Sequence, residues 1–577
     1  MKKILILAAL LAGAAASCEE KPVIPDPVLE LEIPQNVVLH SAAETSLTFQ
    51  WKAVEGAEHY GWKLTCADEG TEKTGTSGQR NVTISGLKKG TQYRFCVFAA
   101  AGDRESGWSQ EIEAKTEGTA PDPGAERVCV DAPLVLELDS VPTLGQSGLI
   151  RIFSGKGTEA DRIDLADLAY MSRREDGFTV PAQQLAADSK FHTFLDALPC
   201  GGNWRPVHCT PLSISGKSLI IRPHSGVLSF DTEYYVTIDA GVVAGHPGIA
   251  AGEWKFTTAS APANAASLRV AADGSGDFCT IQRAIDFADK NGAVISIAKG
   301  TYLELLYARD KAGLTLKGDS RDGVRIAYPN NESYEGGSGG HISSRPSIGS
   351  KLGASGGRGL FLVENCDKLT LQDLTIENTF GELKGQAEAI YFNSGSNNHK
   401  LTIENCSLLS YQDTFLCKGE VWVHNSLIAG HCDFVWGYPK VCLFEDCEIR
   451  ARAAGYIVQA RVPAASYKGF VFLNCSLTAE SGVKDGSMYL ARSAGQSDCW
   501  DNVTYVGCTM APVIAPQGWY SSPAPNPAVP TAGSGWKEYG SVDAGGKPAT
   551  AGRNTLGMIL TPSEAEAYSS KAAVLGW

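Results

Sequence analysis

The chain has 577 residues, of which 43% are hydrophobic and 20% charged, and its formal net charge is −14. This length calls for roughly three or four domains, and the hydrophobic content excludes a disordered or collagen-like chain. Because phosphate backbones are recognised by basic surfaces, the excess of 64 acidic over 50 basic residues argues against a nucleic-acid partner.

The first 17 residues predict an export signal. Lys2 and Lys3 precede an apolar run at 4–11, and small residues then lead to Cys18. This pattern resembles a bacterial lipoprotein signal, in which the chain is cut before Cys18 and a lipid on that cysteine anchors the protein to the outer membrane. We expect an outer-membrane or cell-surface lipoprotein of a Gram-negative bacterium. An ordinary signal peptide, with release to the periplasm or medium, is the alternative.

Residues 28–118 predict a first β-sandwich. Short alternating runs at 47–51 and 93–98 are separated by glycine-containing turns, as in sandwich strands. With Trp51 and the Ser-Gly-Trp-Ser segment at 106–109, this region resembles a fibronectin type III domain, which is more often a spacer than a site.

Residues 127–259 predict a second β-sandwich, which resembles Ig-like modules. It lies between two segments rich in Pro, Gly and Ala, at 118–124 and 259–265, that mark domain boundaries. We find no set of catalytic residues in this region. Cys200 and Cys209 bracket a short loop, and such a pair can form a disulfide in an exported protein.

A weak repeat starts near residue 360, where alternating apolar residues lead to Asn, Asp or Gly and then to a small residue. The small residues are Cys366, Cys406, Ser426, Cys447, Cys475 and Cys508. Their separations of 20 to 40 residues, with no helical pattern between them, favour a right-handed parallel β-helix over residues 266–577. The cysteines are then small buried side chains rather than metal ligands, and the whole protein is predicted to be all-β.

Two aspartates occupy equivalent places in this repeat. Asp413 lies seven residues after Cys406, and Asp433 lies seven after Ser426. Since adjacent strands are ~4.8 Å apart, their carboxylates should be neighbours, with pKa values pushed apart as a nucleophile and a general acid require. Alternatively, both aspartates cap strand-to-loop turns, and the spacing alone leaves both interpretations open.

The residues around these aspartates resemble the signatures of the pectinesterase (pectin methylesterase) family. The matching segments are 385–389 (Gly-Gln-Ala-Glu-Ala), 411–415 (Tyr-Gln-Asp-Thr-Phe), 433–437 (Asp-Phe-Val-Trp-Gly) and 489–492 (Tyr-Leu-Ala-Arg), together with 270–285 and 299–304. The resemblance extends over the predicted β-helix and includes none of the preceding segments.

The resemblance implies hydrolysis of methyl esters in the pectin polysaccharide homogalacturonan without a metal or cofactor, and we expect the protein to be a monomer. Asp433 would be the nucleophile, and Asp413 would protonate the departing methanol and then activate water. Gln386 and Gln412 would donate hydrogen bonds to the tetrahedral oxyanion. Arg492 would keep Asp433 ionised and oriented.

The sequence also departs from the family. The family usually continues Leu-Gly-Arg-Pro-Trp, whereas Ser493 and Ala494 follow Arg492 here, so the tryptophan of the sugar groove is missing. Trp436, which can serve as an aromatic platform or simply pack, is a candidate groove residue together with Gln459 and Arg461.

Three other functions stay open at this point. A pectate lyase shares the β-helix but needs clustered aspartate ligands for calcium, and no Asp-rich cluster occurs between residues 360 and 519. A non-catalytic pectin-binding β-helix protein is the second alternative. The third is an esterase for another uronate ester or for acetyl groups.

Overall fold

A computed structural model describes residues 30–577, apart from 44, 68, 168–192, 194, 333, 336, 338, 344–356 and 382–384. The predicted signal peptide and Cys18 lie outside the described residues. The chain forms two compact units, one ending at Glu117 and the other comprising Gly118–Trp577. Within the described residues, no helix is both long and apolar enough to cross a membrane.

The first unit is the predicted β-sandwich, with eight strands. They are β1 (Val38–Ala43), β2 (Ser46–Gln50), β3 (His59–Cys66), β4 (Glu72–Ser77), β5 (Asn81–Ser85), β6 (Gln92–Ala101), β7 (Arg104–Glu105) and β8 (Ile112–Lys115). One sheet has the order β1-β2-β5, and the other has β4-β3-β6-β7 with β8 beside β6. The rings of Phe49 and Phe95 stack at 3.9 Å in the core, and Trp51 packs beside them.

The second unit begins with a sandwich module, whose described residues form eleven strands. They are β9 (Gly118–Ala120), β10 (Ala125–Val128), β11 (Leu134–Glu137), β12 (Leu149–Ser154), β13 (Glu159–Asp164), β14 (Leu195–Cys200), β15 (Asn203–His208), β16 (Leu212–Ser215), β17 (Ser218–Ile221), β18 (Glu233–Ile238) and β19 (Ile249–Thr258). The sheets are β10-β19-β18-β12-β13 and β16-β17-β11-β9, and β14 and β15 form a separate hairpin. Strand β9 lies in a segment whose composition predicts a linker. It is ordered by pairing with β11, with Ala120 opposite Val135.

The rest of the second unit is the predicted parallel β-helix. Its strands are β20 (Ser267–Val270), β21 (Val294–Ile297), β22 (Gly300–Tyr302), β23 (Leu306–Arg309), β24 (Thr315–Gly318), β25 (Val324–Tyr328), β26 (Phe361–Glu364), β27 (Leu369–Gln372), β28 (Thr375–Asn378), β29 (Ile390–Asn393), β30 (Lys400–Glu404), β31 (Ser407–Leu409), β32 (Phe415–His424), β33 (Leu427–Glu445), β34 (Glu448–Ala460), β35 (Gly469–Leu473), β36 (Ser476–Ala479), β37 (Met488–Ser493), β38 (Val503–Val506), β39 (Thr509–Met510), β40 (Trp536–Tyr539), β41 (Val542–Asp543) and β42 (Gly557–Ile559). Each strand pairs in parallel with its counterpart on the next coil, as β29 does with β32 and β32 with β33.

In the part of the β-helix region that the structure describes, three short α-helices accompany the strands: α1 (Ile281–Phe287), α2 (Pro562–Ala565) and α3 (Lys571–Leu575). Thr280 caps α1 by accepting a hydrogen bond from Arg283 N, and Ile281 and Ile285 bury its apolar side. The Glu304 carboxylate accepts hydrogen bonds from the first free N–H groups of α1, at 2.9 Å. Helix α1 lies against β20, β21 and β23 of the β-helix and against β14 of the sandwich module.

The repeat has a conformational cause. The residue before each small residue has a positive φ: Asn365 (50°), Asn405 (50°), Asn425 (47°), Asp446 (53°), Asn474 (54°) and Gly507 (63°). Asn, Asp and Gly adopt this left-handed conformation most easily, so they recur where each coil turns. The following cysteines are buried, and burial raises the pKa of the Cys406 thiol to about 12, consistent with their predicted role as core residues.

The suggested disulfide between Cys200 and Cys209 is wrong. Cys200 is the last residue of β14 and Cys209 follows β15, so the two cysteines lie at opposite ends of the hairpin. Both thiols are free. The hairpin turn consists of Gly201 and Gly202, which both have positive φ.

The sandwich module and the β-helix share one hydrophobic core. A single cluster of buried side chains runs from Val130 of the module to Trp536 of the β-helix. Polar contacts cross the same boundary, since the Gln282 side chain of α1 donates a hydrogen bond to Pro199 O of β14 at 2.7 Å. The two parts therefore pack together, although the composition of residues 259–265 predicts a linker between them.

Candidate active site

The two predicted aspartates lie on consecutive coils. Gln386 pairs with Gln412, and Gln412 pairs with Cys432, in parallel bridges that place the three following turns side by side. The Asp413 N–H donates a hydrogen bond to Cys432 O at 3.0 Å. Both aspartates have positive φ, 64° for Asp413 and 47° for Asp433, and each is only 3% exposed.

Asp433 is held by two side chains from later coils. Arg492 in β37 donates two hydrogen bonds to its carboxylate, including one of 2.7 Å from Nε to Oδ1. Gln459 in β34 donates from Nε2 to Oδ2 at 2.8 Å. These charge-assisted hydrogen bonds fix the orientation of the carboxylate. The Asp433 carboxylate is thus bound by side chains of the neighbouring coils rather than by its own turn, which favours the nucleophile interpretation over the turn-capping one for this residue.

The surroundings of Asp413 favour its uncharged form. Burial, together with the negative charges of Glu388 and Asp433, raises its pKa well above the ordinary value, while Arg358 and Arg461 act in the other direction. Arg358 Nη2 lies 3.3 Å from Asp413 Oδ2. Burial and acidic neighbours therefore favour the protonated form of Asp413, the form in which a carboxyl group can act as a general acid.

Arg461 fixes the amide of Gln459. Its Nε donates to Gln459 Oε1 at 3.0 Å, and its Nη2 donates to the same oxygen at 2.5 Å. Because a guanidinium group has no acceptor, the amide oxygen must face Arg461, and the NH2 group must face Asp433. Gln459, predicted as a groove residue, thus binds the Asp433 carboxylate directly. Arg461, predicted as another groove residue, orients Gln459.

Arg358, which the sequence did not single out, fixes Gln386 in the same way. It donates from Nη1 to Gln386 Oε1 and from Nε to Glu388 Oε1, the latter at 2.8 Å. The Gln386 NH2 group must therefore point away from Arg358. Glu388 is completely buried, and burial raises its pKa while Arg358 lowers it. The sequence did contain a signal for such a partner. Glu388 lies between Ala387 and Ala389 at the start of an apolar strand, and a buried acidic side chain needs a charged or hydrogen-bonding partner.

Gln412 and Trp436 differ in accessibility. The Gln412 side chain is half-buried and, within the described part of the chain, forms no hydrogen bond, so its amide can bind a ligand. Trp436 is 5% exposed, and the guanidinium groups of Arg461 and Arg358 lie 5.0 and 5.4 Å from its ring centre. Trp436 packs against the arginines of the site and leaves little of its ring open to a ligand.

Three tyrosines, also not singled out from the sequence, lie beside Arg492. The Arg492 guanidinium is 5.1 Å from the ring centre of Tyr456. Tyr456 is in contact with Tyr520 at 4.8 Å between ring centres, and Tyr489 contacts Tyr520 at 5.0 Å. All three are half-buried. This tyrosine cluster (Tyr456, Tyr489, Tyr520) provides aromatic surface next to the residue after which the expected tryptophan is missing.

One group of possible metal ligands occurs among the described residues, away from the aspartates. Ligand atoms of Cys129, Asp131 and Cys279 lie within 4.8 Å of one another, where the sandwich module meets α1. The Asp131 carboxylate already accepts hydrogen bonds from Cys279 N at 3.0 Å and from the N–H and hydroxyl of Thr280 at 2.7 Å. Asp131 therefore serves to bind the start of α1.

Two family models match the chain. The model described as Pectinesterase matches residues 267–572, and the model of the fibronectin type III domain matches residues 32–115. Both agree with the resemblances noted in the sequence.

Similar proteins come from plants, fungi and bacteria. Pectinesterase 31 of Arabidopsis thaliana is 30% identical over 260 residues, which cover 44% of this chain and 76% of the relative. Probable pectinesterase A of Aspergillus niger is 27% identical over 296 residues, covering 50% and 83%. Among solved structures, the pectin methylesterase of Aspergillus niger is 26% identical, with a TM-score of 0.42 and coverage of 55% of this chain and 95% of that chain.

The raised pKa of Asp413 makes the stability of the protein depend on pH. In the unfolded chain this carboxyl ionises near its ordinary pKa of about 3.9, whereas the folded protein keeps it protonated to higher pH. Folding therefore carries a cost that grows as the pH rises above about 4. Asp413→Asn removes this cost and tolerates the positive φ, so we expect a higher Tm than wild type at pH 7 and equal Tm values near pH 4.

Calorimetry across this pH range measures the difference. Asp446→Asn is the control, because Asp446 has a similar φ of 53° but an exposed side chain, and it should track wild type at every pH. An Asp413→Asn protein that is less stable than wild type at pH 7 would show that the Asp413 carboxylate has a structural role instead.

Proposed function

The chain belongs to the pectinesterase family and is a carboxylic ester hydrolase, and from that premise we propose how it acts on its substrate. It hydrolyses the methyl esters of galacturonate units in homogalacturonan, releasing methanol and pectate. The observation that carries this proposal is the carboxyl pair: Asp433 is clamped by Arg492 and Gln459, next to an Asp413 whose pKa is raised.

Asp433 is the nucleophile. Its carboxylate attacks the ester carbonyl carbon, and a tetrahedral intermediate forms with a negative charge on the former carbonyl oxygen. Burial removes water from the carboxylate, and Arg492 and Gln459 bind it without occupying every lone pair. The two bonds from Arg492 also fix its direction of attack.

Gln386 and Gln412 bind the oxyanion. Their turns are adjacent through the bridge between the two residues, so both amides can reach one oxygen. The Gln386 NH2 group is oriented in advance, since Arg358 occupies its oxygen. Donors that are fixed before the charge develops stabilise the transition state without reorganisation.

Asp413 transfers protons in both halves of the reaction. As a protonated acid it gives its proton to the departing methoxy oxygen, so methanol leaves and an anhydride between Asp433 and the galacturonyl group remains. The Asp413 carboxylate then takes a proton from water, which attacks the anhydride and regenerates Asp433. The raised pKa suits the first step, and Arg358 and Arg461 support the ionised form needed in the second.

The substrate is a polysaccharide, and the tyrosine cluster is the proposed surface for a sugar ring adjacent to the reacting unit. Ligand sites are usually lined by aromatic and apolar side chains together with a small number of polar groups. The Arg492 side chain is 29% exposed beside this cluster, so its cation is also available to a galacturonate carboxylate.

Export through the predicted signal fits this substrate, because pectin lies outside the bacterial cell. We propose that the mature protein starts at Cys18, that a lipid on Cys18 anchors it to the outer membrane, and that it acts there as a monomer. Labelling with a radioactive fatty acid and its loss in a Cys18→Ser variant would test the anchor.

Methanol release from highly methylated pectin by the full chain, with EDTA present, tests the activity. We expect methanol without new absorbance near 235 nm, because ester hydrolysis creates no unsaturated chain ends. Absorbance without methanol would indicate a lyase. If neither signal appears, release of acetate from acetylated pectin distinguishes an esterase of other specificity from a pectin-binding protein.

Asp433→Asn tests the nucleophile. The amide keeps the shape of the side chain and can accept one of the two hydrogen bonds from Arg492, but it is a poor nucleophile, so we expect kcat for methanol release to fall by at least about a thousandfold. Asp446→Asn is the same substitution at an exposed aspartate and should keep wild-type kcat. A folded Asp433→Asn protein with near-normal turnover would exclude Asp433 as the nucleophile.

A further inference from the structure

Arg205 of the sandwich module is buried within the β-helix. It lies in β15, and its side chain is completely inaccessible to solvent. Its guanidinium group donates to four backbone carbonyl oxygens of the β-helix: from Nη1 to Leu306 at 2.7 Å and Leu360 at 3.1 Å, and from Nη2 to Gly357 at 2.8 Å and Gly359 at 2.6 Å. Burying a cation among carbonyls is costly, and burial lowers the pKa of Arg205 to about 10.

Three of these four carbonyls surround Arg358 in the sequence. Gly357 precedes it, and Gly359 and Leu360 follow it. The Asn330 side chain donates to two of the same oxygens, those of Gly357 and Gly359, at 3.1 and 3.2 Å. The backbone on both sides of Arg358 is therefore held by the rigid guanidinium group of Arg205 and by the buried side-chain amide of Asn330.

The side chain of Arg358 extends into the candidate active site. Each of its three nitrogen atoms is used there: Nε binds Glu388, Nη1 binds Gln386, and Nη2 lies against Asp413. Because each contact needs its own direction, a shift of the Arg358 backbone would break several at once. The Gln386 amide would then be free to rotate, and Asp413 would lose its closest cation.

We propose that the sandwich module completes the active site, with Arg358 as a catalytic residue that contacts Asp413 and Gln386 and Arg205 as the positioning residue that acts through it. This inference rests on the proposed function. In this account the module is more than a spacer: its hairpin supplies the group that holds the oxyanion donor Gln386 and the proton donor Asp413 in their working orientations.

The test is a double-mutant cycle in the full chain, measured as methanol release from highly methylated pectin. We expect Arg358→Met to lower kcat about a hundredfold, since it removes the orientation of one oxyanion donor and a partner of the acid. Arg205→Met should lower kcat by about tenfold or more with KM changed less than about threefold. In the Arg358→Met background, Arg205→Met should have no further effect on kcat, because its target is already gone.

Arg151→Met is the matched control. Arg151 belongs to the same module but pairs with Asp239 of that module at 3.1 Å, so wild-type kcat is expected. If Arg205→Met does not fold, Arg205→Lys replaces it in the cycle, because lysine keeps the charge and can bind some of the four carbonyls but cannot fork between them.

The outcomes separate the two proposals. No methanol release by the wild-type protein rejects the proposed function itself. Wild-type turnover with unchanged kcat in folded Arg358→Met rejects the catalytic role of Arg358. Effects of Arg205 and Arg358 that multiply in the double variant reject the link between them and leave Arg205 a structural residue. A nonadditive cycle, with KM maintained, supports the inference.

Discussion

A guanidinium group can donate hydrogen bonds but cannot accept them, and this constraint determines how the catalytic centre is arranged. Arg492 faces the Asp433 carboxylate directly. Arg461 and Arg358 each face the oxygen of a glutamine amide, which forces the NH2 group of Gln459 onto Asp433 and that of Gln386 away from Arg358. Two glutamines whose amides could each rotate by 180° are thereby held in the orientation that the proposed nucleophile and the proposed oxyanion site need.

The same arginines balance the charge of a largely buried site. Asp433, Asp413 and Glu388 are all nearly inaccessible to solvent, and three carboxylates at this spacing could not all be ionised without cations beside them. Burial and its acidic neighbours leave Asp413 with a raised pKa, and burial also raises that of Glu388. A carboxyl group with a raised pKa costs folding stability at neutral pH, and such groups are concentrated at functional sites.

The sequence predicted the parts that depend on local regularity. The left-handed turn residue and the buried small residue recur on each coil, so the β-helix and the neighbouring positions of Asp413 and Asp433 could be inferred from spacing. Gln386, Gln412 and Arg492 followed from a family resemblance. Arg358, Arg205 and the tyrosine cluster were missed because their contacts join residues far apart in the chain, as between Arg205 and Gly357, where no spacing relates them. The suggested Cys200–Cys209 disulfide was wrong because proximity in sequence across a hairpin turn does not bring its two ends together.

The central claim, that Asp433 forms a covalent bond to the galacturonyl group, is tested most directly by trapping that intermediate. The enzyme is acid-quenched during turnover of a methylated galacturonate oligomer and its peptides are analysed by mass spectrometry, with hydroxylamine added in a parallel reaction. The account predicts a substrate-dependent galacturonyl adduct on the peptide that contains Asp433, and enzyme-dependent galacturonyl hydroxamate in the parallel reaction. An adduct on another residue, or equal yields of methanol and carboxylate with neither adduct nor hydroxamate, would contradict it.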